Sequence, residues 1–229
     1  MVRIGITTSF NEGEQRLHHA YVRAVEQAGG LPLIVPMLDA DAALDAFVAL
    51  LDGLVVTGGP AVTQGLVGTL PPDIAATDPV RARADARVLE AFEASRRPVL
   101  GICYGMQLLN ARAGGTIYAD VEKQMPGAGC HSEKRGAGDH LVEIKEHTHL
   151  RQLLKSGSFP VNTRHLQALA TVAPPFRIAA TSPDGVVEAI ENEDGTVLGV
   201  QFHPERMGEA MLPLFRHLVQ TAARSRGGT

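Results

Sequence analysis

Pro98-Val99-Leu100-Gly101-Ile102-Cys103-Tyr104-Gly105-Met106-Gln107 is the stretch on which the reading of this chain turns. An apolar strand, residues 98–102, runs straight into Gly-x-Cys-x-Gly, and a helical pattern follows at once until Gly114-Gly115 stops it. This is the form of a nucleophile elbow, with cysteine where serine is commoner. Its logic is steric: the nucleophile occupies a strained turn, and its neighbours two positions away must be small where strand and helix crowd together. A thiol there would sit at the first turn of a helix, whose dipole favours the thiolate. A buried core cysteine is the ordinary alternative; the flanking glycines and the switch from strand to helix argue for a nucleophile.

Outward from the elbow, strand and helix patterns alternate. Residues 2–7 read as a strand, and residues 15–28 as a helix with Leu17, Ala20, Tyr21, Ala24, Val25 and Ala28 at helical spacing before Gly29-Gly30. A short strand at 31–35 ends at Pro36. A helix follows with Leu44, Phe47, Val48 and Leu51 on one face, and then the strand 54–57 enters Gly58-Gly59-Pro60. Residues 80–95 read as a helix. Residues 61–79 and 124–138 lack a period and read as long loops, which in compact domains often serve function. Later segments, 141–144, 177–180, 186–190 and 197–202, read as strands, with Asp194-Gly195 as a hairpin signal between the last two. A short helical turn is expected near 149–154, and a final helix carries Met211, Leu214, Phe215, Leu218, Val219 and Ala222 along one stripe.

Short apolar strands separated by helices indicate a parallel sheet covered on both faces. The expected fold is therefore α/β: an open, mostly parallel, flavodoxin-like sheet with helices on both faces, extended by antiparallel strands in the second half. One domain spanning 1–229 is expected.

Bulk composition narrows the function classes. A net charge of −4 lacks the basic surplus of a nucleic-acid binder. No apolar run reaches the roughly 20 residues that cross a bilayer, and the first residues read as a core strand and not as a secretion signal. Cys103 and Cys130 form no disulfide framework for a chain of 229 residues, so a cytoplasmic location is expected.

A cysteine nucleophile needs a base. In Gly199-Val200-Gln201-Phe202-His203-Pro204-Glu205 a strand delivers His203 at its end and Pro204 stops the pairing. Glu205 is spaced to hold the imidazole ring and offset its charge. Oxyanion donors would be the backbone N–H of Tyr104, the residue after the nucleophile, and that of Gly59, where glycine permits close approach. His131 beside Cys130, His140, His147 and His149 match no tetrahedral zinc spacing and read as solvated loop residues, so no metal and no cofactor are expected.

Taken together, Gly58-Gly59-Pro60, Gly101 to Gln107 and His203-Pro204-Glu205 resemble the class I glutamine amidotransferase-like superfamily. Within it the chain looks most like the γ-glutamyl-γ-aminobutyrate hydrolase family. That narrower resemblance rests on Tyr21 to Pro32, Asp78-Pro79 before the helix carrying Asp85, Gly114 to Asp120, Val161 to Gln167, and Ser182-Pro183-Asp184-Gly185 with Val187-Glu188-Ala189. It implies a Cys103–His203–Glu205 triad that cleaves a γ-glutamyl amide through a thioester, with Gln107 and His165 near the γ-glutamyl group. The partner it implies is a small γ-glutamyl substrate, without nucleic acid or membrane; a homo-oligomer is compatible. Residues 101–107, with tyrosine at 104, also resemble the glutaminase part of guanosine monophosphate synthetase. The alternative is thus a glutaminase that delivers ammonia to a synthetase partner.

Overall fold

Side chains at alternate strand positions go to opposite faces of a sheet, and here they build two separate cores. The computed structural model describes residues 1–227. In chain order the elements are β1 (Val2–Ile6), β2 (Ser9–Asn11), β3 (Glu14–Arg16), α1 (His19–Gln27), β4 (Gly30–Ile34), α2 (Asp41–Val48), β5 (Gly53–Val56), β6 (Leu66–Val67), α3 (Pro79–Ser95), β7 (Val99–Ile102) and α4 (Tyr104–Arg112). There follow β8 (Thr116–Tyr118), α5 (Val121–Gln124), β9 (His140–Ile144), α6 (His149–Leu154), β10 (Ser158–Val161), β11 (Ala168–Thr171), β12 (Arg177–Thr181), β13 (Val187–Glu191), β14 (Val197–Val200) and α7 (Leu212–Gly227).

The main sheet has nine strands in the order β10-β9-β12-β13-β14-β7-β5-β1-β4. Its half from β4 to β14 is parallel, and β13, β12, β9 and β10 extend it antiparallel. Taken in chain order, the parallel strands lie second-first-third-fourth-fifth, the flavodoxin-like arrangement. Along β5, Val55 joins one core with α1, α6 and α7, while Leu54 and Val56 join the other with α2, α3 and α4. Helix α4 is buried from Tyr104 to Ala111, so the elbow is clamped between core layers. No helix among the described residues is long and apolar enough to cross a membrane.

Two expectations give way. The helix expected from residue 15 starts at His19, because residues 9–16 form the hairpin β2–β3. Glu12 and Gly13 both take positive φ in its turn, and the His18 ring caps α1 by accepting from the Ala20 N–H. The loop at 61–79 is less free than its composition implies. Ala61 and Val62 are buried, and β6 pairs parallel with β8 in a small second sheet with β11. The register there is local, too short to leave a period in the sequence.

Candidate active site

Strand β7 delivers Cys103 at its carboxyl end, where open α/β sheets present ligands. Cys103 has φ 52° and ψ −104°, a conformation in which L residues are strained. The glycines on either side permit it. A β-carbon on Gly101 would stand 2.6 Å from Leu109 Cδ1, and one on Gly105 would run into the Val56 carbonyl. The Cys103 N–H donates to the Val200 carbonyl at 2.8 Å, tying the elbow to β14.

Strand β14 carries the second component. Beyond Val200 the chain passes Gln201 and Phe202 to His203, and residues Pro204–Arg206 form a short 3-10 turn. That turn brings Glu205 back against the ring: His203 Nδ1 donates to Glu205 Oε1 at 2.8 Å. Nε2 is left as the ring nitrogen on the side away from Glu205, and Cys103 contributes to the ionisation of this ring. Burial opposes the charged ring, but hydrogen bonds with Cys103 and Glu205 and their negative charges overcome it, and the imidazole is pushed up to about 10. Asn162 fixes the backbone here, donating to the His203 carbonyl and accepting its N–H, both at 2.9 Å.

Cys103 is more enclosed than an elbow at an open surface, at 7 % exposure. A cleft of about 450 Å³ opens beside His203, lined by Gly59, Asp73, Glu133, Lys134, Arg164 and Arg206 among others. Tyr104 opens α4, and the first N–H of a helix has no intrahelical acceptor. Gly59 lies at the mouth of β5.

Gln107 and His165, set by the resemblance beside a γ-glutamyl group, are both buried side chains engaged with protein. Gln107 Nε2 donates to the Gln167 carbonyl at 3.0 Å and to Gln201 Oε1 at 3.1 Å. His165 Nδ1 donates to the Gln167 carbonyl at 3.0 Å, and its Nε2 faces Glu188 Oε1 at 3.4 Å. His131 is not a solvated loop residue but is 3 % exposed; His140 is half-buried, and both face the same carboxylate. His147 and His149 lie elsewhere, with His149 Nε2 on the Glu193 carbonyl.

Against known proteins, residues 4–205 match the family described as Peptidase C26. The chain belongs to the peptidase C26 family. Within this class I glutamine amidotransferase-like group, it is 33% identical over 201 residues to the gamma-glutamyl-gamma-aminobutyrate hydrolase PuuD of Escherichia coli K12, covering 83% of this chain and 79% of PuuD. It is 36% identical over 191 residues to protein NtpR of Enterococcus hirae, covering 81% of this chain and 79% of NtpR. A solved structure from Thermoplasma acidophilum, described as that of a GMP synthase component, shares the fold, with TM-score 0.72 at 20% identity over 99% of this chain and 96% of that one.

Four site residues of this peptidase C26 chain escaped the sequence reading as parts of the site. Gln201 donates from Nε2 to the sulfur of Cys103 at 3.5 Å. Tyr21 accepts the Gly58 N–H at 3.0 Å, and its hydroxyl lies beside Glu205; burial and that carboxylate hold the phenol well above its ordinary range. Arg81 donates to the carbonyls of Gly58 and Thr57 at 3.1 and 3.0 Å, and its guanidinium lies 4.2 Å from the Tyr104 ring centre. Asn162 holds the histidine backbone. Only proximity in space reveals these roles; Arg81 and Asp85, for example, read in sequence as an ordinary i, i+4 helix pair.

Proposed function

We propose that this chain hydrolyses a γ-glutamyl amide of a small amine through a thioester on Cys103. The observation that carries the reading is the strained elbow cysteine, whose sulfur raises the ionisation of an imidazole that is itself held by a buried carboxylate. That is the arrangement of an activated nucleophile, its base and an orienting group.

In the proposed sequence, Cys103 sulfur adds to the γ-carbonyl carbon. The oxygen takes up negative charge, received by the N–H groups of Gly59 and Tyr104. The C–N bond breaks as His203 gives its proton to the departing nitrogen, leaving the γ-glutamyl thioester. Water then gives a proton to His203 and its oxygen to the acyl carbon. The C–S bond breaks, glutamate leaves, and the sulfur recovers its starting state. Glu205 keeps the ring in the tautomer that presents Nε2 to the sulfur. Gln107 and His165 sit behind the sulfur in the Gln167 and Gln201 network, where they would shape the γ-glutamyl pocket through the backbone.

The cleft favours a substrate carrying carboxylates. Lys134, Arg164 and Arg206 lie along its wall with Asp73 and Glu133. Arg164 is paired with Glu133 at 2.6 Å, which leaves Lys134 and, beside Glu205, Arg206 to meet the α-carboxylate of the glutamyl group or an acidic leaving amine. The hydrolase relatives in the family support the same substrate class.

Release of aminobutyrate from γ-glutamyl-γ-aminobutyrate, compared with release of ammonia from glutamine by the isolated chain, tests this. Turnover of the first by the chain alone, lost in Cys103→Ala, is expected. A chain inert on γ-glutamyl amines, and active on glutamine only beside a synthetase, would transfer the reading to an ammonia-delivering glutaminase.

A further inference from the structure

We propose that His131, His140 and Glu188 form a site for a zinc-class divalent metal ion, separate from the reacting atoms, with His165 packed against the same carboxylate. The residues come from four distant segments: the loop before β9, the first residue of β9, the stretch before β11, and β13. Glu188 is fully buried, on a strand buried from Val187 to Glu191. Its Oε1 is 3.6 Å from His131 Nδ1, 3.3 Å from His140 Nε2 and 3.4 Å from His165 Nε2. None of these three nitrogens has a hydrogen-bond partner, and neither does either oxygen of Glu188.

Hydrogen bonding among the four groups does not account for this arrangement. A charge-assisted N–H···O bond closes to about 2.7–2.9 Å, and all three separations are longer. The protons of two rings are also committed elsewhere. His131 Nε2 lies 2.9 Å from Asp184 Oδ2, an acceptor, so the neutral ring carries its proton there and leaves Nδ1 bare. His165 Nδ1 donates to the Gln167 carbonyl, which leaves Nε2 bare. Two lone pairs therefore point at a buried carboxylate, an arrangement that calls for a cation between them.

The spacing fits a metal. Zinc holds imidazole nitrogen and carboxylate oxygen at about 2.0–2.2 Å, so the corners of its tetrahedron stand about 3.3–3.6 Å apart. The three nitrogen-to-oxygen distances fall in that interval, and the donor atoms of His131, His140 and Glu188 all lie within 4.8 Å of one another. Asp184 on His131 supplies the outer hydrogen bond that orients a metal-binding imidazole. Held by three protein donors away from Cys103, the ion is structural, and His165 Nε2 lies beside it, 3.4 Å from Glu188 Oε1.

Its position gives that structural role a purpose. Ser132, Glu133 and Lys134 follow His131 into the cleft wall, and Arg164 and Leu166 flank His165 there. An ion bound to His131, His140 and Glu188 would fasten the cleft segment that follows His131 to the sheet, with His165 packed against the same carboxylate. The Gln201 N–H donates to the Glu188 carbonyl at 2.8 Å, and Gln201 also reaches the Cys103 sulfur.

The test is metal content of the whole chain by plasma mass spectrometry, followed by titration of chelator-stripped protein with zinc(II) and cobalt(II) chloride. About one equivalent per chain is expected, together with the strong visible absorption of four-coordinate cobalt and a melting temperature that falls on stripping and recovers with zinc. His140→Gln, at the half-buried edge, should remain folded and lose the ion, while His147→Gln should keep it. A folded wild-type chain that takes up no stoichiometric zinc or cobalt overturns the proposal, and so does a folded His140→Gln chain that retains a full equivalent with an unchanged cobalt spectrum. Neither readout depends on hydrolysis, so failure here leaves the reading of Cys103 standing.

Discussion

The guanidinium of Arg81 occupies the room that a side chain on residue 59 would need: a β-carbon built on Gly59 would collide with it. Arg81 is 1 % exposed, and its partners are Asp85 at 3.0 Å, the carbonyls of Thr57 and Gly58, and the face of Tyr104. One buried cation thus braces both backbone segments assigned to the oxyanion. Glycine at 59 is what lets strand end and guanidinium stack so closely.

Removing Arg81 should be costly. Burial already raises the Asp85 carboxyl against the pull of Arg81, so Arg81→Met leaves an uncompensated buried acid. The expected loss is about 3–5 kcal/mol of folding stability. Arg81→Met with Asp85→Leu should recover part of it. Denaturant unfolding of both variants checks this, and equal stability of the single and double variants would falsify the pairing argument.

Cys103→Ala and Cys103→Ser should both fold and lose hydrolysis by at least about 10³-fold in kcat. The backbone at φ 52° adds a second expectation. Cys103→Gly, equally inactive, should be more stable than Cys103→Ala by about 1 kcal/mol, because glycine accepts this conformation and alanine does not. Retained turnover in the alanine variant would remove the cysteine from the mechanism. An alanine variant as stable as the glycine one would show the turn to be unstrained.

How legible the molecule is in its sequence depends on how local each constraint is. The elbow could be read because Gly101 and Gly105 answer a steric demand within five residues of chain. The β13–β14 hairpin could be read because Asp194-Gly195 is a local turn signal. The hairpin at residues 9–16 could not, since Gln15 and Arg16 run into a helical pattern and Glu12 takes a positive φ that its residue type does not announce. Tyr21 reads as one more apolar helix position, and its hydroxyl gains meaning only where Gly58 and Glu205 meet it. The cluster around Glu188 is the extreme case. No spacing rule connects residues 131, 140, 165 and 188, and burial alone turns surface-like histidines into a converging set.

Tyr21→Phe isolates one of these unannounced contacts. It deletes the acceptor for the Gly58 N–H and the hydroxyl beside Glu205 while leaving the apolar ring in the core. A buried donor left unpaired costs about 1–3 kcal/mol, so folding stability should fall by that order. A drop in kcat of about tenfold, about 1.4 kcal/mol of barrier, is expected with little change in KM, because the contact lies behind the histidine and not on the substrate side. Steady-state kinetics beside a denaturation curve would show it; a pure KM effect would place Tyr21 on the substrate instead.

The ionisation of His203 ties the site to pH. Hydrogen bonds and negative charge from Cys103 and Glu205 prevail over burial and carry the ring from 6.5 to about 10. A histidine raised on folding contributes stability that is complete below its unfolded value near 6.5 and disappears as pH climbs through its folded value near 10. Cys103→Ala removes one of the two groups that raise it, so the His203 titration should move to lower pH, and the stability it confers should be lost earlier on the alkaline side. Glu205→Gln should move it in the same direction by removing the other. Nitrogen-detected NMR of the labelled ring follows the protonation directly, and unfolding measured between pH 6.5 and 10 follows its linkage to stability. An imidazole that titrates at the same pH with and without the sulfur would mean that Cys103 and His203 do not share a proton, and the activation step proposed for the cysteine would lose its physical basis.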